Sequence, residues 1–505
     1  MTIPHTPILT AAEMREADRL AVEKHRIPSA VLMENAARNA WLALRPRIDG
    51  HRERILVLCG GGNNGGDGLA LARHGLIDGY DITVWLSSSR LSPDAQLQLD
   101  ILRSFAPERI VTDLEALEQT HWNVLVDALL GTGASGELRE PVLSATRWMN
   151  GAAPRLRCAL DIPTGLSTDT GSAGLDAVEC DLTVTMAALK PGLLLGRGPD
   201  LSGEIVVVPI GAPPALYRNS PLGLLDAATA RALLPPVTRT RHKYDRGLVA
   251  VIGGAPGMRG AGVLAASAAR DCGAGVVRLV APHATHHALP WPPVPAEIML
   301  GTAEEGLKEL LERSAAVVLG PGLGRNDEAE NLVRTVLAGT TAPVVLDADG
   351  LFGFAGNPKK LRERPGECEL VVTPHYGEAA RLLGAAHAAI AASPVEYARE
   401  LARRTNALCV LKGAPSVVAL PDGRSWITSA GNPGMATGGS GDVLAGMIGA
   451  CIAQRHDATS GTLLGVHLHG GAGDRAARRY GVNGVTAGRI VEAVAAARRA
   501  LEETP

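Results

Sequence analysis

Short runs of aliphatic and β-branched residues recur along this chain, separated by helix-like stretches, and this alternation constrains the fold more than any other feature. Runs that are apolar at every position are buried on both faces, and strands spaced by helices pair in parallel with helices above and below. The first half opens with two helical stretches, Thr10 to His25 and Pro28 to Leu44. Strand candidates follow at 54–59, 81–86, 123–126, 157–160, 182–186 and 204–209. The pattern breaks at Gly211-Ala-Pro-Pro and along Leu234 to Tyr244, a proline-punctuated stretch with a basic run that reads as a connection. A second α/β unit starts at Gly247, with strand candidates 247–253, 276–280, 315–319, 343–347, 370–373 and 407–411. No internal repeat is visible, and 505 residues exceed what one core sustains, so two unlike domains are expected, 1–215 and 225–505.

Charge narrows the partners. A formal net charge of −3 gives no electrostatic case for nucleic acid or membrane, although local amides can still bind small polyanions. Seven scattered cysteines form no CxxC pair, which points to reduced, buried thiols in a cytoplasmic protein rather than to disulfides or zinc. The first twenty residues turn acidic and helical without an apolar segment of signal-peptide or membrane-spanning type.

The chemistry is expected in the loops after the strands, where open parallel sheets bind ligands. The run ending at Cys59 enters Gly60-Gly-Gly-Asn-Asn-Gly-Gly-Asp67-Gly and then a helix, a turn whose amides and helix dipole suit a phosphate. Asn63, Asn64 and Asp67 add side-chain oxygens, and the spacing fits neither the Walker loop nor the plain dinucleotide fingerprint. A tight turn with self-satisfied Asx side chains is the structural alternative. Two further strands end in acids: Asp127 leads to the glycine-rich segment 131–137, and Asp161 leads to Ile-Pro-Thr164-Gly. Either acid alone could cap a helix, but in a parallel sheet both gather beside the Asn-rich loop.

In the second half, Asn432 to Gly446 contains Gly438-Gly-Ser-Gly-Asp442 ahead of an apolar helix. Amides at Gly439, Ser440 and Gly441 would form an anion hole, with Asp442 placed as a base beside a phosphate. Its companions are Gly253-Gly254, Arg259-Gly-Ala261-Gly, Gly320-Pro-Gly-Leu-Gly324, Asp347-Ala-Asp349-Gly, Thr373-Pro-His375-Tyr-Gly-Glu378 and Lys412-Gly-Ala-Pro-Ser416. Taken alone, this loop says small-molecule kinase. The histidines at 283, 286 and 287 have no carboxylate or thiol at ligand spacing, and His467 and His469 face different sides of a helix, so no metal role is expected of them.

NNGGDG, DALLGTG, DIPTG and Leu189-Lys-Pro-Gly together resemble the motif series of the NAD(P)H-hydrate epimerase domain across nearly all of 1–215. The second-half motifs resemble the ADP-dependent NAD(P)H-hydrate dehydratase domain, whose phosphate loop is of ribokinase-like type, so the whole chain resembles the fused bacterial repair enzymes. The resemblance implies a Rossmann-like three-layer domain followed by a ribokinase-like three-layer domain. It implies epimerisation of R and S hydrates of NADH and NADPH, and ADP-driven dehydration of the S epimer, releasing AMP and phosphate. It further implies potassium on Asn64, Asp127 and Thr164, hydrate contacts at Asn63, Asn64, Gly65, Gly66 and Asp67, along Gly131, Thr132, Gly133, Ala134, Ser135, Gly136 and Glu137, and at Asp161, the expected proton-transfer residue. In the second domain it implies hydrate contacts at Ala261, Gly324, His375 and the catalytic Asp442. Nucleotide contacts fall on Lys412, Gly413, Ala414, Pro415, Ser416, Gly439, Ser440 and Gly441, with magnesium accompanying ADP. A homo-oligomer is expected. The chain departs from the family pattern at Gly60-Gly61-Gly62, where Gly-Pro-Gly is common, and at Thr164, where Ser is commoner; both changes keep the needed turn and hydroxyl. The stretch Val482 to Arg489 also departs and is given no role. Two rivals remain: a vitamin or sugar kinase, which leaves the first domain unexplained, and a non-catalytic binding module, which would not need to keep Asp161 and the Asn pair.

Overall fold

The computed structural model of the chain describes residues 3 and 5–503, apart from 119, 135, 219, 237, 238, 241, 284–289, 365–367 and 456. It divides into two compact units, Pro7–Ser220 and Pro221–Pro505, the second also taking in Met1–Thr6. The short strand β1 (Thr6–Pro7) accordingly belongs to the second unit's sheet, where it neighbours a strand that begins at Leu222.

In the first unit, β2 (Arg54–Cys59), β3 (Asp81–Leu86), β4 (Ile110–Val111), β5 (Val124–Ala128), β6 (Leu156–Leu160), β7 (Leu182–Met186) and β8 (Glu204–Val208) form one sheet in the order β4-β3-β2-β5-β6-β7-β8. Every neighbouring pair is parallel. Strand alternation divides the apolar residues between two cores: Ile55, Val57 and Cys59 pack with Trp41, Leu69 and Leu99 on one face, while Leu56 and Leu58 pack with Ala145 and Met149 on the other. Both faces are therefore covered, as the uninterrupted apolar runs require. The chain builds outward from β2 through β3 to β4, then restarts at β5 on β2's other side, so the strand order reverses between β2 and β5. At such a reversal the loops part and leave a crevice at the carboxyl ends.

The second unit holds β9 (Leu222–Leu225), β10 (Leu248–Ile252), β11 (Val276–Ala281), β12 (Ile298–Thr302), β13 (Ala316–Leu319), β14 (Val344–Leu346), β15 (Leu370–Val372), β16 (Leu408–Leu411), β17 (Val417–Ala419) and β18 (Ser425–Thr428). Its sheet runs β1-β9-β18-β17-β16-β15-β14-β13-β10-β11-β12. The strands from β10 to β16 are parallel, and β17 is antiparallel to both neighbours. Val249, Val251, Val318, Val345, Val371 and Val410 face a core shared with the helices Arg259–Asp271, Ser440–Arg455, Ala458–Tyr480 and Ala487–Glu503. Here the order reverses between β10 and β13, a second crevice.

The expected break between 215 and 225 stands beside an observed boundary at 220/221. The expected strands are all present within one or two residues at their ends, whereas β1, β4, β9, β12, β17 and β18 were not expected. Two-residue strands carry no periodicity, β12 exposes Met299 and Leu300 and so lacks a buried run, and β17 and β18 follow β16 without the helix that marked the others.

Candidate active sites

In the first unit β2 feeds the helix Asn63–Ile77, whose first turn no side chain caps, so its leading amides are free for an anion. Asn64 turns inward. Its Nδ2 donates to the Leu130 carbonyl at 3.0 Å, and its Oδ1 is buried without a protein partner. Asp127, fully buried at the end of β5, accepts from the Thr164 amide and hydroxyl at 2.7 Å each and from the Leu129 amide at 3.1 Å. The Thr164 hydroxyl in turn accepts from the Leu130 amide at 3.0 Å. Burial pushes the Asp127 carboxyl up to about 6 against the pull of those hydrogen bonds, a cost that a neighbouring cation would offset. An orphaned amide oxygen, one carboxylate and a hydroxyl make an all-oxygen set suited to a hard ion, and a single charge suits a monovalent one. Among the described residues, no group of three or more His, Cys, Asp or Glu side chains could hold a metal.

Asp161 follows β6 with φ of 67°, a left-handed conformation that costs a non-glycine residue energy and persists only where the surroundings hold it. Its Oδ1 accepts from Lys190 Nζ at 2.5 Å and its Oδ2 from the Thr132 amide at 3.4 Å. Lys190 is wholly buried and spends its other two hydrogens on Thr185 Oγ1 and the Met186 carbonyl, both at 2.8 Å. A Cβ on Gly131 would lie 3.1 Å from Asn64 Cβ and 3.6 Å from Asp161 Oδ2, which puts the Asn loop, the 131 segment and Asp161 around one cleft. Asp67 is pushed well above the usual carboxylate range by desolvation, then by the charges of Asp161 and Asp18. Desolvation and Asp161 likewise raise Asp18, from the helix Ala11–Glu23, to about 6.

Of the residues expected here, Asn64, Asp67, Gly131, Thr132, Asp127, Asp161 and Thr164 come together, with Gly65 and Gly66 buried in the helix start. Asn63, Gly133, Ala134, Gly136 and Glu137 are exposed, and Ser135 lies outside the described residues. Lys190 and Asp18 were not foreseen as site residues. The Leu189-Lys-Pro-Gly motif was visible, but only the fold reveals that its ammonium ends on Asp161.

In the second unit the loops after β10, β13, β14, β15 and β16 meet. Gly254 and Ala255 amides donate to the Pro321 and Gly322 carbonyls at 3.0 and 2.7 Å, and a Cβ on Gly322 would meet Ala261 Cβ at 3.2 Å. The Gly324 amide donates to Asp349 Oδ2 at 3.1 Å. Asp347, nearly inaccessible, accepts from Thr373 Oγ1 at 2.7 Å and from Lys412 Nζ at 2.6 Å on Oδ1, while its Oδ2 is buried without a partner. Lys412 also lies 3.9 Å from Glu378, and against the burial that disfavours its charge these two carboxylates raise its pKa. The ammonium reaches the phosphate loop: a Cβ on Gly441 would sit 3.1 Å from Lys412 Nζ. Asp442, in the first turn of the helix Ser440–Arg455, is pushed up to about 7 by burial and then by Asp347.

His375 caps the helix Tyr376–Leu383, its Nδ1 accepting from the Gly377 and Glu378 amides at 3.0 and 3.4 Å. That fixes the ring proton on Nε2, which lies 3.4 Å from Glu378 Oε1. The loop Gly413 to Ser416 is closed by Ser416 Oγ near the Gly413 amide at 3.4 Å, with Ala414 and Pro415 at its tip. Ala261, Gly324, His375, Lys412, Gly441 and Asp442 thus fall on one edge of the sheet.

His283, which has no carboxylate at ligand spacing in the sequence, meets two from distant elements in the fold, Glu304 at 2.8 Å and Glu328 at 3.3 Å. His286 and His287 lie outside the described residues. The stretch after Val482 packs on the approach to the phosphate loop: a Cβ on Gly434 would meet the Val482 carbonyl.

Two units, each a largely parallel sheet with a glycine-rich helix start and buried acids at the carboxyl ends of its strands, define a two-site α/β enzyme. Residues 249–496 match a family model described as NAD(P)H-hydrate dehydratase, and residues 29–192 match one described as YjeF-related protein N-terminus. Curated relatives named bifunctional NAD(P)H-hydrate repair enzyme Nnr include that of Salinibacter ruber, 39% identical over 505 residues and covering 93% of this chain and 92% of the relative. Those of Moorella thermoacetica and Escherichia coli are 37% and 35% identical, covering 98% and 96% of this chain and 97% and 93% of theirs. A crystal structure of the Bacillus subtilis ADP/ATP-dependent NAD(P)H-hydrate dehydratase, obtained with ATP and Mg2+, is 27% identical with a TM-score of 0.49, covering 55% of this chain and 98% of that one. The chain belongs to the bifunctional NAD(P)H-hydrate repair enzyme family.

Proposed function

We propose that the first unit interconverts the R and S hydrates of NADH and NADPH at C6, and that the second dehydrates the S epimer with ADP, giving NAD(P)H, AMP and phosphate. The observation that carries the reading is the meeting of Gly441, the Lys412 ammonium and Asp442 at one helix start. Amides and a lysine grip a phosphoryl group there, and a carboxylate raised to about 7 is matched to neutral-pH proton transfer.

In the second unit Asp442 takes the proton of the C6 hydroxyl as that oxygen attacks the terminal phosphorus of ADP and AMP departs. The C6–O bond of the phosphorylated hydrate then breaks, pushed by the ring nitrogen lone pair, and loss of a C5 proton restores the dihydronicotinamide. His375 Nε2–H, 3.4 Å from Glu378 Oε1, would orient the carboxamide by exchanging that carboxylate for the amide oxygen. Magnesium accompanying the nucleotide would neutralise phosphate charge, and the unpartnered Asp347 Oδ2 is an oxygen facing that side of the loop.

In the first unit Asp161 exchanges a proton with the C6 hydroxyl as the oxygen leaves or the ring opens, held in place by Lys190 and the Thr132 amide. Asn64, Asp127 and Thr164 would hold potassium, which supplies a fixed positive charge beside the ligand's phosphates. Added K+ is then expected to raise the melting temperature of the first unit by a few degrees over Li+, and Asn64→Ala is expected to erase that difference. Equal melting temperatures in both salts would remove the ion from the reading.

The decisive test supplies an equimolar mixture of R and S hydrates of NADPH and follows recovery of absorbance at the NADPH band. Wild type with ADP is expected to restore the whole, a variant disabled at Asp161 about half on the same timescale, and either protein without nucleotide almost nothing. Accumulation of a stable phosphorylated hydrate would favour a kinase instead.

A further inference from the structure

The helix Ala458–Tyr480 carries no residue expected to meet ligand, yet one of its faces grips the whole approach to the phosphate loop. His469 Nε2 lies 3.3 Å from Ser440 Oγ. A Cβ on Gly470 would collide with the Ala430 backbone at 2.6 Å, and one on Gly473 with Met435 Sδ at 2.1 Å, so both positions are kept bare for the loop to lie against. Asp474 accepts from the Gly431 amide at 3.1 Å and from Asn432 Nδ2 at 2.9 Å, and Asn432 Oδ1 in turn accepts from the Gly434 amide at 3.0 Å. Positions 469, 470, 473 and 474 share one helix face by their spacing. Residues 430 to 440 are thus held at four points along this face.

Ser440 is the telling member. Its side chain is buried and turned to His469, so its hydroxyl is spent on the helix, and its amide donates to the Thr437 carbonyl at 3.3 Å, which fixes the turn that carries Gly439 and Gly441. Burial pushes the His469 imidazole down to about 4, which keeps it neutral, and a neutral ring can exchange one hydrogen bond with a hydroxyl without bringing a charge into the core.

Resting on the dehydratase reading, we propose that His469 and Asp474 are positioning residues for the terminal phosphoryl group of ADP, His469 acting through the Ser440 hydroxyl and Asp474 through Asn432. Neither touches the nucleotide. Each fixes one end of the segment whose amides do, and preorganised amides stabilise a transferring phosphoryl group only if they need not be reoriented during reaction.

Calorimetric titration of the full chain with ADP and with AMP tests this, because AMP lacks the terminal phosphoryl group that the loop would hold. His469→Ala is expected to weaken ADP about tenfold, the loss of roughly one buried hydrogen bond, and to leave AMP within about twofold. His469→Gln, which can still reach a hydroxyl, is expected to recover most of the loss. Ser440→Ala is expected to match His469→Ala, and the double variant to be no worse than either. Asp474→Asn, which leaves the Ser440 contact intact, is expected to show the same selective loss of ADP and serves if the position-469 variants do not fold. Equal weakening of ADP and AMP in these variants, or losses that multiply in the double variant, would overturn the proposal. A wild type that binds neither nucleotide would overturn the dehydratase reading and this proposal with it.

Discussion

Asp442→Asn lowers the rate of ADP-driven dehydration by about two to four orders of magnitude, the usual cost of removing a proton-transfer carboxylate, and leaves epimerisation unchanged. The wild-type pH profile follows from the same group. Its carboxyl is raised to about 7 by burial and by Asp347, and as a base it works only when ionised. kcat/KM for dehydration is therefore expected to rise about tenfold per pH unit up to pH 7 and then level off, with the Asn variant lacking this limb. Stability moves the opposite way. A carboxylate whose folded value exceeds its unfolded value of 3.8 stays protonated in the fold while the unfolded chain ionises, so the fold loses stability as pH climbs from about 4 to 7. At pH 8 Asp442→Asn should be the more stable protein by about 1–2 kcal/mol, and at pH 4 the two should melt together. Thermal melts at both pH values, beside a dehydration assay, check both halves. A fully active Asn variant would sink the assignment.

Lys190→Met abolishes epimerisation and destabilises the first unit by about 3–5 kcal/mol, the cost of leaving one member of a buried ion pair alone. The ammonium is wholly buried, and all its hydrogens are spent on Asp161, Thr185 and Met186. Without it the Asp161 carboxylate keeps only weak amide and hydroxyl contacts of 3.3–3.4 Å in a cleft it shares with Asp67 and Asp18. Adding Asp161→Asn removes the stranded charge, so the double variant is expected to regain most of the stability and none of the activity. Epimer ratios read by chromatography, with melts of single and double variants, test this. A double variant less stable than Lys190→Met would show that the lysine serves the fold rather than the acid.

How far the sequence revealed all this depended on whether a feature was local. The strands ending at Cys59, Leu86 and Met186 were legible to the residue because aliphatic, aromatic and β-branched residues fill them beyond their first positions, a consequence of burial on both faces. Asp127 and Thr164 were legible as members of motifs, and the fold joins them through two hydrogen bonds of 2.7 Å. Lys190 was visible only as a letter in a motif, since nothing nearby in sequence says that its stem is buried and its head lies on an acid 29 residues upstream. His469 was set aside on its spacing from His467, and that argument was sound for a metal yet blind to Ser440, 29 positions away on the preceding helix. The edge strand β1 and its neighbour β9 escaped because their pairing is decided by partners more than two hundred residues off.

That last pairing bears on how the protein is made and dissected. Residues 6 and 7 are synthesised before the whole intervening unit, and their neighbour strand at 222–225 only after it. A gene cut at residue 220 would therefore leave 222–225 as a raw border of unpaired amides and carbonyls, the kind of margin that recruits foreign strands and precipitates. A soluble stand-alone C-terminal half is better built by splicing the β1 strand and a short linker ahead of Pro221.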